Sequence, residues 1–320
     1  MKAATIHTFG PPEVLTIQEI DKPTINDNEI LVRVKATAVT AADSRIRGAR
    51  FPKGFGILAR LVFGITKPRV RVLGGVYSGM VDEVGKNVAD FSVGDEVCGT
   101  TGVKMGAYAE YLKISSLKSI VKKSKNVSHE DAVGLLFGGT AALYFVRDKL
   151  HVSKGERVVV NGASGAVGTN AVQLAKYYGA EVVAVTEGSN SKLLTKLGAD
   201  EIIDYTKQGL ADSNQTFDVI VDTVGNVSPE LAKSLLTKRG RAGLMVASLG
   251  EMIRSRGPIK TGTATEKKED MTFLLELVQQ GKLTVVIDSV YDLDHIVDAH
   301  KHVDGGHKVG NVVVRLSSNN

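Results

Sequence analysis

The 320-residue chain has a single cysteine, Cys98. One thiol cannot close a disulfide within the chain, and it cannot supply the thiolate cluster of a structural zinc site. Its setting, Asp95-Glu96-Val97-Cys98-Gly99, reads as a buried strand, with a reactive thiol the lesser alternative. No apolar run approaches the ~20 residues that span a bilayer, and Met1-Lys2-Ala3-Ala4-Thr5-Ile6 leads straight into a strand pattern rather than an export signal. The expectation is a soluble cytoplasmic protein that makes no membrane contact. Internal repeats and low-complexity segments are absent too. The net charge of +5 is spread thinly, with small knots only at Lys122-Lys123 and Arg69-Val70-Arg71. Charge alone therefore gives little support for nucleic acid as a partner, and fits a polyanionic cofactor as well as it fits an ordinary solvated surface.

What is present centres on residues 157–204. A short apolar run, 158–160, leads directly into Gly162-Ala163-Ser164-Gly165-Ala166-Val167-Gly168. Val167, Ala171, Leu174, Ala175 and Tyr178 then recur at the spacing of one helix face, and a second apolar run follows at 182–185. Strand, glycine turn, helix and parallel strand form the unit that holds a dinucleotide. A pyrophosphate must approach unpaired backbone N–H groups at a helix N-terminus, where the helix dipole favours negative charge. Gly165 leaves room for that approach, and Gly168 lets the helix pack close to the strand.

Residues 3–7, 15–19 and 30–36 read as strands separated by Gly10-Pro11-Pro12 and Lys22-Pro23. Residues 40–70 read as loop with one helical turn opening at Ala41. The glycine-rich segments 72–85, 94–97 and 106–112 suit a tightly bent, barrel-like sheet. From 129 to 150 the pattern is helical, with Ser128 as N-cap and Gly138-Gly139 interrupting the apolar spacing. Strands at 202–203, 217–222 and 241–246 alternate with helices at 191–197 and 229–236, which implies a doubly wound parallel sheet. Residues 250–268 are irregular, with 259–265 as a possible last strand. A helix at 271–280 stopped by Gly281 and strands at 285–290 and 312–316 complete the chain.

These motifs together resemble the medium-chain dehydrogenase/reductase superfamily, and within it the zinc-independent quinone oxidoreductase and enone reductase branch. The resemblance is carried by Val84-Gly85 with Val93-Gly94-Asp95-Glu96-Val97, by Gly106-Ala107-Tyr108-Ala109-Glu110-Tyr111, by Phe137-Gly138-Gly139-Thr140-Ala141-Ala142, by the 161–168 turn and by Leu197-Gly198-Ala199-Asp200. It implies an α/β fold in which a Rossmann doubly wound parallel sheet is inserted into a GroES-like β-rich catalytic domain. The expected division is residues 1–123 for the N-terminal part of the catalytic domain, 124–265 for the dinucleotide-binding domain and 266–320 for the C-terminal return. A homodimer through the edge of the Rossmann sheet is implied as well.

By the same resemblance Thr140 and Leu249 would lie near a nicotinamide, Gly165, Ala166, Val167 and Gly168 would cradle a pyrophosphate, and Val224 and Gly225 would line the ribose side. The second strand ends at Thr186, and the loop beyond it carries both signs. Glu187 argues for NADH, whereas Ser189, Ser191 and Lys192, with Tyr205, argue for NADPH. NADPH is the expected cofactor, with NADH possible. No metal is expected: Thr40-Ala41-Ala42-Asp43-Ser44 stands where zinc-dependent relatives carry a cysteine, and none of the seven histidines has a thiolate partner at ligand spacing. A chain without such ligands offers a carbonyl no Lewis acid. Hydride addition to a quinone or an α,β-unsaturated carbonyl asks for less. The hydroxyls of Thr40 and Tyr77 and the 2′-hydroxyl of the cofactor are the candidate donors to the developing oxyanion, and structural roles for Thr40 and Tyr77 are the stronger alternative. The rival readings are a zinc-free carbonyl or aldehyde reductase and a non-catalytic NADPH-binding protein, regulatory or RNA-binding.

Overall fold

The computed structural model describes residues 1–117 and 119–316. Strands β1 (Lys2–Ile6) and β2 (Leu15–Glu19) form an antiparallel pair. β3 (Glu29–Val39) is eleven residues long and buried along most of its length. It ends at Thr40, which caps α1 (Ala41–Arg47); α2 (Gly56–Phe63) follows. Then come β4 (Val76–Val84), β5 (Glu96–Thr100), β6 (Tyr111–Ser115) and β7 (Ile120–Lys122). The strand expected at 106–112 becomes a ladder only at Tyr111: Met105 and Gly106 take positive φ, and before Tyr111 the segment makes an isolated bridge from Ala109 to Ala3.

α3 (His129–Leu143) is capped by Ser128, whose hydroxyl accepts from the Asp131 N–H at 2.9 Å. It runs through Gly138 and Gly139 without a break. Gly138 is not an interruption but a contact, since a Cβ there would overlap the carbonyl of Ala166 on the next helix. The alternating part is β8 (Arg157–Asn161), α4 (Ala166–Tyr177), β9 (Glu181–Thr186), α5 (Ser191–Lys196), β10 (Glu201–Asp204), β11 (Phe217–Asp222), α6 (Pro229–Leu235), β12 (Leu236–Leu244), α7 (Leu249–Arg254) and β13 (Ile259–Lys260). These strands make one six-stranded parallel sheet in the order β10-β9-β8-β11-β12-β13. The order reverses between β8 and β11, and ligands of open α/β sheets bind beyond the strand ends at such a reversal.

α8 (Lys268–Gln279) packs on α3 and buries Met271, Leu274, Leu275 and Leu277 in the core shared with α3 and α4. β14 (Ile287–Asp292), α9 (Ile296–Asp304) and β15 (Asn311–Arg315) close the chain. β15 pairs antiparallel with β3, so the two ends of the chain share one seven-stranded sheet, ordered β14-β15-β3-β4-β5-β7 with β6 also on β3. Helices α2, α7 and α9 were not legible as such. Among the described residues no side chain caps α9, and a histidine, His300, takes one of the four buried positions Ile296, Ala299, His300 and Val303. Among the described residues no helix is long and apolar enough to cross a membrane.

Candidate functional site between the two sheets

The glycine turn joins β8 to α4. Gly162 has φ +76°, and a side chain on it would strike Val224 and Thr223. A Cβ on Gly168 would overlap the Gly162 carbonyl and the Ala163 backbone. The fold itself therefore demands glycine at both positions. Gly165 is different. It is the N-cap of α4 with φ −75° and ψ 175°, a conformation open to any residue, and a Cβ there would meet only the Gly162 oxygen, at an ordinary 3.6 Å. Among the described residues no side chain caps α4, which leaves the N–H groups of its first turn without a side-chain acceptor there.

Beyond this turn lies a cavity of about 170 Å³, lined among others by Thr40, Phe137, Gly165, Ala166, Val167 and Lys308. Ala41, Phe137, Val167 and Thr223 also line a second cavity of about 470 Å³, which extends between α1, α3 and α7. Its walls are mainly apolar: Pro52, Phe55, Phe145, Met245, Val246 and Met252. The two spaces form one cleft between the sheets, with a polar end at the helix N-terminus and an apolar end at α2 and α7.

Thr140 lines the larger space, its hydroxyl bonded to the Leu136 carbonyl at 2.7 Å. Gly165, Ala166 and Val167 line the smaller one, while Gly168 is buried behind them. Val167 is only partly buried because it faces the cleft. Thr40 borders the small cavity, yet its hydroxyl donates to Asp43 Oδ2 at 2.5 Å and accepts from the Asp43 N–H, closing a capping box. Burial pushes the Asp43 carboxyl up, and the hydrogen bonds from Thr40 oppose it. Tyr77, on β4, is fully buried with its hydroxyl beside Gly99 of β5, and it lines neither cavity. Burial holds its hydroxyl well above the usual phenol range.

Thr186 closes β9, with its carbonyl accepting from the Tyr205 N–H at 3.1 Å. Ser189, Lys192 and Tyr205 are exposed around that strand end, as is Glu187. Val224 and Gly225 are exposed on the loop after β11, which Asp222 holds by accepting from the Val224, Gly225 and Val227 N–H groups. Leu249 opens α7, and its N–H donates to the Lys53 carbonyl across the cleft mouth at 3.1 Å.

Two cations were missed by sequence reasoning. Arg45, on α1, borders the large cavity, and no side-chain partner for it is found among the described residues. Lys308 sits against the glycine turn, donating to the Gly310 carbonyl at 2.6 Å, while Gly310 N–H donates to the Ser164 carbonyl at 2.8 Å. Burial pulls the Lys308 ammonium down to about 8, with Asp288 opposing.

Among the described residues no group of three or more His, Cys, Asp or Glu side chains could hold a metal ion. Cys98 is buried in β5, and burial raises its thiol to about 12. Among the described residues, then, no thiolate or imidazole cluster of the kind that holds zinc is assembled.

A parallel nucleotide-type sheet set into a sheet built from both chain ends, with the cleft between them, defines a two-domain dehydrogenase/reductase. The family model for the alcohol dehydrogenase GroES-like domain matches residues 26–125, and the zinc-binding dehydrogenase model matches 197–314. An NADPH-dependent alkenal/one oxidoreductase of Arabidopsis thaliana is 30% identical over 98% of this chain and 79% of its own. A 2-methylene-furan-3-one reductase of Solanum lycopersicum is 29% identical over 98% and 79%. The solved quinone oxidoreductase of Coxiella burnetii superposes with a TM-score of 0.89 at 26% identity, covering 99% of both chains. The chain belongs to the medium-chain dehydrogenase/reductase superfamily, in its quinone oxidoreductase and enone reductase branch, and is an oxidoreductase.

Proposed function

We propose that this protein binds NADPH in the cleft and reduces a quinone or an α,β-unsaturated carbonyl without zinc. The observation that carries the reading is Gly165: alone among the three glycines of the turn, it answers no steric demand of the chain itself. Its missing side chain leaves the first turn of α4 open to a pyrophosphate. Thr140 and Val167 would flank the nicotinamide, and Lys308 would meet the phosphates from the other side of the cleft. Ser189, Lys192 and Tyr205 support NADPH over NADH, because the exposed Glu187 is free to turn away from a 2′-phosphate.

When bound, the reduced nicotinamide supplies a hydride. The chain does the rest by holding the acceptor in the apolar space and excluding water. As hydride reaches the β-carbon of an enone, negative charge grows on the carbonyl oxygen. Arg45, which has no side-chain partner among the described residues, stands on that wall and is suited to hold the charge. Thr40 is a poorer donor, because its hydroxyl hydrogen is already given to Asp43. The second hydrogen would arrive as a proton from solvent, giving the saturated ketone. The open edge of β13 supports a homodimer formed there.

The test compares turnover on an enone with turnover on the matching saturated ketone, with NADPH, before and after exhaustive chelation. Activity on the enone alone, indifferent to chelation, is expected. Arg45→Met should lower kcat roughly 100-fold, with partial recovery in Arg45→Lys. Equal turnover on the ketone, or loss of activity with the metal, would overturn the proposal.

A further inference from the structure

α2 stands at the rim of the apolar end of the cleft. Phe63 anchors it by stacking on Phe51, with ring centroids 6.1 Å apart, and Phe55 at its N-terminus reaches into the cavity wall. Among the described residues nothing covers its other face. Ile57, Leu58, Leu61 and Val62 are 81%, 62%, 51% and 41% exposed, and Ile65 just beyond the helix is 55% exposed. Positions 57, 58, 61 and 62 follow one another on one side of a helix, and no residue of α2 is buried. A contiguous aliphatic face of this kind is a docking surface rather than scattered surface leucine.

The charge around it identifies what docks. Between Asp43 and Asp82 the sequence contains no Asp or Glu. Lys53, Arg60, Lys67, Arg69 and Arg71 lie exposed in this stretch, with no acidic partner among the described residues. Aliphatic side chains flanked by cations match a membrane surface: the apolar groups enter the acyl boundary while the cations meet anionic headgroups. A second copy fits poorly, because an isologous contact would press this basic patch against itself. Nucleic acid would leave the aliphatic face unmet.

We propose that α2 and its flanking cations form a docking site for anionic lipid bilayers, which sets the cleft mouth at the surface from which a lipid-dissolved quinone can enter. The quinone clause rests on the proposed function; the docking does not. Pro52 and Phe55 line the cavity while the docking residues do not, so the site adjoins the substrate space without forming part of it.

The experiment is co-sedimentation of the full chain, without cofactor, with vesicles of phosphatidylcholine alone or mixed with phosphatidylglycerol. Binding to the anionic vesicles is expected, at least tenfold weaker on neutral vesicles or in high salt. The double variant Ile57→Glu/Leu61→Glu alters exposed residues and should keep its melting temperature and its turnover of a short-chain, water-soluble quinone. It should lose tenfold or more in vesicle affinity and in turnover of a long-chain quinone held in those vesicles. Absence of binding, equal binding by the variant, or concentration-dependent self-association abolished by the variant would each overturn the docking site, the last by showing that a second copy covers this face. Vesicle binding without turnover of any quinone would support the docking site and count against the enzymatic reading alone.

Discussion

Lys308 shows how a single side chain can report on a ligand. In the free protein its ammonium is drawn down to about 8 by burial, against an ordinary value near 10.5. The folded value is depressed, so the unfolded chain holds more protons between these values, and stability rises with pH across that window. A phosphate placed beside Lys308 reverses the preference and favours the charged form. NADPH affinity is therefore expected to fall about tenfold from pH 7 to pH 9, with proton uptake on binding, and both effects should vanish in Lys308→Met. Calorimetry in buffers of different ionisation enthalpy reads the proton directly; pH-independent affinity in the native protein would separate Lys308 from the cofactor. The sequence could not give this residue a role. Gly165 was legible because its spacing within a strand–turn–helix unit has a local meaning. Lys308 and Arg45 acquire meaning only when distant segments meet in the cleft, and no local pattern marks them.

Among the elements, α1 matters most because Thr40 caps it and it carries Arg45. Three groups at its far end fix it. Arg47, wholly buried, donates from Nε to His300 Nδ1 at 3.2 Å and from its NH2 nitrogen to Asp304 at 2.5 Å, both on α9. Burial, aided by the Arg47 charge, pulls His300 down to about 3, from an ordinary value near 6.5. Because the unfolded chain takes up the proton first, stability from this group is present above pH 6.5 and is lost as pH falls toward 3. From pH 7 to pH 5 this one group is expected to remove about 2 kcal/mol. Urea denaturation at the two values measures it, and His300→Asn, which keeps an acceptor for Arg47 but does not titrate, should flatten the difference. An unchanged difference would mean other groups set it. The same histidine hid α9 from the sequence, since a polar residue at a buried position breaks the apolar count. Strands β8, β9 and β11 were legible for the opposite reason: strands covered on both faces are almost uninterruptedly apolar.

At the scale of the whole molecule, the sheet shared by β3 and β15 brings the C-terminal loop that carries Lys308 onto the glycine turn near the middle of the chain. That return was accessible from the sequence only through family resemblance, because strand patterns at 285–290 and 312–316 do not say which sheet they join. A dinucleotide bound in the cleft as proposed would touch both units at once, so its affinity would depend on the assembled molecule. Gly165→Ala tests it most directly, since the fold has room for a Cβ there and the proposed pyrophosphate does not. By titration calorimetry the account expects at least a 100-fold loss of NADPH affinity, with a melting temperature within about 2 °C of the native protein. NADPH binding left intact in this variant, or absent from the native protein at millimolar concentration, would contradict it.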